Sequence, residues 1–71
     1  SVNNYLRNLR LEFARDQLIL GELNISEIAA QIGIVNKSYF SRIFKEAYGL
    51  NPKELSQQIK NISKKSNRLN L

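Results

Sequence analysis

Cysteine is absent from this sequence, and so is histidine. Without thiols there is no disulfide to staple the fold, no thiolate metal site and no cysteine nucleophile. Without imidazole the chain lacks the commonest metal ligand and the usual general base. The acids that remain are Glu12, Asp16, Glu22, Glu27, Glu46 and Glu54. Glu27 suits a helix cap and the others suit helix surfaces, so neither an enzyme nor a metal or other cofactor is expected. Long apolar runs are missing as well. The longest span only a few residues, far below the roughly 20 needed to cross a bilayer. The first residues are polar and charged, unlike a signal peptide. A soluble, cytoplasmic protein without a membrane partner is the expectation. At 71 residues the chain is one small domain or a piece of one. A core of that size supplies only about 3–5 kcal/mol, which calls for dense packing or a partner.

Acids are also missing from one end. Net charge is +5, yet residues 1–54 hold seven basic and six acidic side chains. Residues 55–71 hold Lys60, Lys64, Lys65 and Arg68 with no acid at all. A tail of this kind favours polyanions such as DNA or a membrane surface. It serves equally well to keep a small domain in solution. Membrane attachment is the weaker reading, because no Trp or Phe stands beside the lysines to anchor them.

Proline occurs once and glycine three times. Gly21, Gly33 and Gly49 each follow a helical pattern, where a left-handed residue closes a helix. The first stretch runs from about Val2 to Leu20, with Ser1 as its N-cap. Leu6, Leu9, Phe13 and Leu20 share one face at helical spacing, while Leu11, Ala14 and Leu18 form a second apolar face. This helix is built to pack on both sides. Arg7, Arg10, Arg15 and Asp16 fill its polar edge, the arginines solvated or paired with Glu12 and Asp16. A second helix spans about Ile25–Ile32, opened by Asn24 and Glu27 at capping-box spacing. Ile25, Ile28, Ala29 and Ile32 make its buried face, and Ile34 plugs the core after the Gly33 turn.

The third helix starts after Asn36 and ends near Tyr48. Tyr39, Phe40, Ile43, Phe44 and Ala47 repeat at helical spacing and point to the core, although the Tyr39 hydroxyl is close enough to its edge to reach a phosphate. Lys37, Ser38, Ser41, Arg42 and Lys45 then share the outer face. Asn51 and Pro52 open a fourth helix, proline standing at its favoured first position. Leu55, Ile59 and Ile62 continue its apolar stripe until the helix frays between Asn61 and Ser66. The fold class is thus all-α, with about four helices.

Two short helices joined by a glycine-centred turn, the second polar outside, form a helix-turn-helix. Residues 37–45 cover about 12 Å, enough to face roughly three or four base pairs. Arg42 is the best candidate base reader, since its fork pairs bidentately with guanine O6 and N7; otherwise it clamps phosphate or stays solvated. Lys37 opposes the helix dipole at the amino end, a small conflict that an anionic partner would resolve. Ser38 and Ser41 are weaker signals, as serines bond to several bases, to phosphate or to nothing. Asn36, Tyr39, Lys45, Lys53, Lys60, Lys64 and Lys65 are the candidate phosphate contacts.

The run Tyr5-Leu6-Arg7-Asn8-Leu9-Arg10-Leu11, followed by Ala14 and by Ile25-Ser26-Glu27-Ile28-Ala29, resembles the AraC/XylS family of bacterial regulators. So do Gly33, the stretch Ser38-Tyr39-Phe40-Ser41-Arg42-Ile43-Phe44-Lys45, Gly49 and Asn51-Pro52. The resemblance covers residues 1 to about 55 and is most specific in the Ser-Tyr-Phe-Ser-Arg-x-Phe-Lys stretch. It implies a homeodomain-like helix-turn-helix of the AraC type that binds double-stranded DNA, with RNA polymerase as a further partner. By this resemblance residues 1–22 are a linker helix. Residues 23–50 are the second of two helix-turn-helix units, with the reading helix at about 37–48, and residues 51–71 are a C-terminal helix and basic tail. The first unit and any sensory domain are then missing, and the second apolar face of the linker helix is what the first unit would cover. The family's base-facing positions fall on Lys37, Ser38, Ser41 and Arg42. Departures are Ile34 where phenylalanine is usual, Asn51 for serine, Leu55 for tyrosine, and Phe13 where a charge is common. Phe13 favours extra burial against another chain, and self-association through Leu6, Leu9 and Phe13 is the competing account of what the chain does.

Overall fold

The computed structural model describes the backbone of residues 2–69 and the side chains of residues 2–62. Its helices are α1 (Val2–Leu20), α2 (Ile25–Gln31), α3 (Lys37–Tyr48) and α4 (Pro52–Leu69), with no strand among the described residues. Local chemistry sets each boundary. Gly21 takes a positive φ of 74° and donates its amide to the Gln17 carbonyl, which stops α1. Asn24 then opens α2 with a complete capping box. Its Oδ1 accepts from the Glu27 amide at 2.8 Å, and its own amide donates to Glu27 Oε1 at 3.0 Å.

The end of α2 is a Schellman turn. Gly33, at φ 78°, donates to the Ala30 carbonyl at 3.1 Å, and Ile34 donates to Ala29 at 2.9 Å. This geometry aims Ile34 back at the core, where it packs half-buried. A second reciprocal cap opens α4, with Asn51 and Glu54 exchanging bonds of 2.9 and 2.8 Å. Glu54, expected from the sequence as a helix-surface acid, is thus a cap, and its three-residue spacing from Asn51 around Pro52 is the signal.

α1 and α3 each contribute three residues to the core, and α2 contributes two, with its C-cap Ile32 beside them. Leu11, Ala14 and Leu18 meet Ile28, Ala29 and Ile32, and both sets close over Phe40, Ile43 and Phe44. Leu23, Ile25, Tyr48 and Leu55 pack around this cluster. The Phe40 and Phe44 rings meet edge to face with centroids 5.9 Å apart, and Phe44 lies 4.8 Å from Tyr48. Fully burying a Leu, Ile or Phe side chain stabilises by roughly 1.5–3 kcal/mol, so these few residues carry most of the fold.

Two expectations about the core need correction. Ala47 lies on the azimuth of Phe40 but is exposed, because it stands in the last turn of α3, beyond the span that α1 and α2 cover. Tyr48 turns inward there in its place. The expected fraying of α4 between residues 61 and 66 is also not seen, since the helix continues to Leu69. No glycine or proline follows Pro52 to interrupt it. Its apolar stripe does run out of partners: Leu55 and Ile59 are half-buried and Ile62 is 63% exposed. Ser1, expected as the cap of α1, lies outside the described residues. The second face of α1 is bare, with Leu6, Leu9 and Phe13 all more than 40% exposed. Among the described residues no helix is long and apolar enough to cross a membrane.

Candidate nucleic-acid interface

The Gly33 turn and the buried stripe of α3 together decide what that helix shows to solvent. With Phe40, Ile43 and Phe44 fixed against α1 and α2, the opposite side must face outward. Lys37, Ser38, Arg42 and Lys45 are exposed there. Ser41 is half-buried, because it lies about 100° round the helix from Phe40 and so borders the core stripe. Tyr39 lies on the other border. The spacing placed its ring in the core, yet it is 40% exposed.

That ring supports Arg42. The guanidinium carbon of Arg42 sits 5.3 Å from the Tyr39 centroid, within cation–π range and worth about 0.5–1 kcal/mol at an exposed site. Arg42 itself remains exposed in this contact. Asn36, Ser38, Tyr39 and Arg42 line one depression at the amino end of α3, of about 340 Å³. Asn36 itself is occupied as the N-cap. Its Oδ1 accepts from the Tyr39 amide at 3.1 Å, and its carbonyl accepts from Phe40. The amides of Lys37 and Ser38 remain as the open donors of the first turn, beside the Lys37 ammonium.

The carboxyl half of the same face is less suited to an anion. Glu46 is exposed one turn beyond Arg42, with no ion pair to it among the described residues. A carboxylate there repels phosphate and confines the cationic zone to residues 37–45. Arg7 and Arg10, read from the sequence as ordinary surface arginines, border Tyr39 from the α1 side. No local pattern signals this, since it follows from how α1 crosses α3. Arg15, by contrast, is engaged away from the face, 3.7 Å from Asp16 and 5.2 Å over the Tyr48 ring. Burial raises the Tyr48 phenol above its usual range near 10, Arg15 draws it back, and Glu12 and Asp16 push it up again.

The remaining candidates are not brought to α3. Lys53 and Lys60 line a separate groove of about 560 Å³ between α4 and the loop from α1 to α2, shared with Glu22 and Glu27. The side chains of Lys64, Lys65 and Arg68 lie outside the described residues.

Comparison with known proteins gives the family of the fold. A family model described as "Helix-turn-helix domain" matches residues 1–58. The HTH-type transcriptional activator RhaR of Yersinia pseudotuberculosis serotype O:1b (strain IP 31758) is 38% identical over 58 residues, covering 82% of this chain and 20% of that protein. The protein of the same name from Pectobacterium carotovorum subsp. carotovorum (strain PC1) is 39% identical over 62 residues, covering 87% of this chain and 22% of its own length. The chain thus spans about a fifth of the length of the curated relatives it matches. No solved structure matches it significantly.

Proposed function

The chain belongs to the AraC-type helix-turn-helix family, and we propose that it binds double-stranded DNA by laying the outer face of α3 in one major groove. The exposed amino half of α3 carries this reading, with Arg42 held over Tyr39 and no aliphatic side chain on the outward surface. Arg42 reads a base, most naturally guanine through its fork. Ser38 and Lys37 accompany it, and Ser41 reaches the base edges from the flank. Asn36, Lys45 and the open amides of the first turn meet phosphate. Lys53, Lys60, Lys64 and Lys65 of α4 supply charge that attracts the duplex without reading it.

A single reading helix makes binding weak and salt-dependent. If about four phosphates are neutralised, log K falls with log salt at a slope near −3.6. Selection from randomised duplexes tests the assignment. Arg42→Ala removes sequence preference, whereas Lys64→Ala with Lys65→Ala weakens binding to all sequences alike. Equal loss of preference from both changes contradicts base reading by Arg42. The named relatives are transcriptional activators, and a regulatory role for the whole protein belongs to this proposal. Activation requires a contact with RNA polymerase, which in this reading falls to faces that DNA leaves open.

A second reading rests on the bare face of α1. Leu9, Arg10 and Phe13 border a shallow depression of about 510 Å³ completed by Gln31, Ile32 and Gly33. Another helical unit, or a second copy of the chain, packs there in this reading. Sedimentation then shows a mass that rises with concentration and that Phe13→Asp returns to the monomer value. A strict monomer at high concentration rejects pairing of copies.

A further inference from the structure

Between the amino half of α1 and the inner edge of α3 lies a cavity of about 320 Å³. Ile34 and Ile43, which pack into the core, give it an apolar base, and its rim is mixed, with Asn3, Arg7, Arg10 and Tyr39 beside the exposed Leu6. Arg7 and Arg10 are three residues apart on one helix and so project to the same side. The ion pair formed by the α1 arginines among the described residues is that of Arg15 with Asp16. Arg7 and Arg10 have no carboxylate within ion-pairing distance there. Arg7 is nonetheless half-buried. An arginine whose stem is partly packed and whose head has no counter-charge offers that head to an arriving anion.

Tyr39 makes the identity of that anion specific. Its ring is a wall of this cavity and also of the neighbouring depression that holds Arg42. A strand whose base edge meets Arg42 would have its backbone beside the same ring that Arg7 and Arg10 border. We propose that the cavity seats one backbone phosphate of the DNA strand bordering the groove that α3 enters, gripped by Arg7 and Arg10. This rests on the reading of α3 as the groove-entering helix and extends it. α1 becomes a second contact with the duplex, and Tyr39 joins the base-reading and phosphate-holding halves. Two contacts on opposite sides of one ring fix the rotation of α3 in the groove, which a single arginine leaves free.

The test compares the chain with an Arg7→Gln, Arg10→Gln double variant on one set of duplexes over a salt series, by fluorescence anisotropy. Arg15→Gln serves as the control, since Arg15 is turned toward Asp16 and Tyr48. The double variant binds about tenfold more weakly, as expected for a lost charge-assisted contact. Its salt slope becomes shallower by about 0.9, the value for one phosphate. Its preference among duplexes is unchanged, and Arg15→Gln matches the parent chain. Side-chain Nε–Hε resonances of Arg7 and Arg10 in the unmodified chain, shifted by the duplex while that of Arg15 stays, give the same answer without any substitution. Unchanged slope and resonances, in a chain whose α3 amides do shift with DNA, overturn the phosphate seat and leave the α3 reading intact. A chain whose α3 amides do not respond to any duplex overturns both.

Discussion

α1 and α3 are both amphipathic, but they are finished to different degrees. α3 buries one stripe (Phe40, Ile43 and Phe44) and shows water a face without apolar residues apart from the Tyr39 edge. Its large aliphatic and phenylalanine side chains are all buried. α1 buries Leu11, Ala14 and Leu18 on one side and leaves Leu6, Leu9 and Phe13 uncovered on the other. The polar face of α3 is open with side chains that water solvates well, Lys37, Ser38, Arg42 and Lys45. The apolar face of α1 is open because no element among the described residues packs over it. Exposure alone therefore does not mark function, and the chemistry of the exposed face separates a nucleic-acid contact from a packing surface.

Substitutions at the two helices break or sharpen that contrast. The largest effect is expected at Phe40, which is fully buried. Phe40→Ala costs about 3–5 kcal/mol, comparable to the whole stability of so small a domain, and circular dichroism should show an unfolded chain at room temperature. Next comes a paired experiment on α1. Leu11→Ala costs about 2–5 kcal/mol by urea denaturation, while Leu9→Ala, two residues away on the bare face, stays within roughly 0.5 kcal/mol. Similar losses for both would mean that the outer face of α1 is already covered in solution. A smaller effect belongs to the α3 cap: Asn36→Ala lowers stability by about 1 kcal/mol in the same assay.

Two further effects are smaller still. Glu46→Gln removes the carboxylate from the DNA-facing side of α3 and should tighten duplex binding a few-fold at low salt, with little change at high salt. Tyr48, where Arg15 of α1 stacks on α3, has its phenol pKa raised in the folded state. A raised value means that the folded chain holds the proton more tightly. The associated stability is present below pH 10 and is lost as pH climbs through the folded value. A thermal melt of Tyr48→Phe should lose this alkaline sensitivity.

Much of this could be read from the sequence, for reasons that individual residues make clear. Asn24 with Glu27, and Gly33 or Gly49 after a helical run, are local signals that act within one turn, and the chain obeys them. Phe40, Ile43 and Phe44 were legible because a stripe of large residues leaves little choice of face. Ala47 and Tyr39 show the limit of periodicity. It gives the azimuth of a side chain but not how far along the helix its partners extend, so Ala47 is left in the open and Tyr39 turns out to be a platform. The approach of Arg7 and Arg10 to Tyr39 depends on the crossing of two helices almost thirty residues apart in sequence, which no short-range pattern records. The second cap, Asn51 with Glu54, was written in the same code as the first.

The central claim is that α3, and not merely a basic tail, meets DNA. Backbone-amide NMR of this chain, titrated with a duplex at moderate salt, tests it residue by residue and tolerates weak binding. Shifts concentrated at Asn36–Lys45, with Tyr39 and Arg42 among the largest, are the predicted result. Shifts confined to Lys60–Arg68, with α3 silent, would contradict it and leave the bare face of α1 as the better guide to what the chain does.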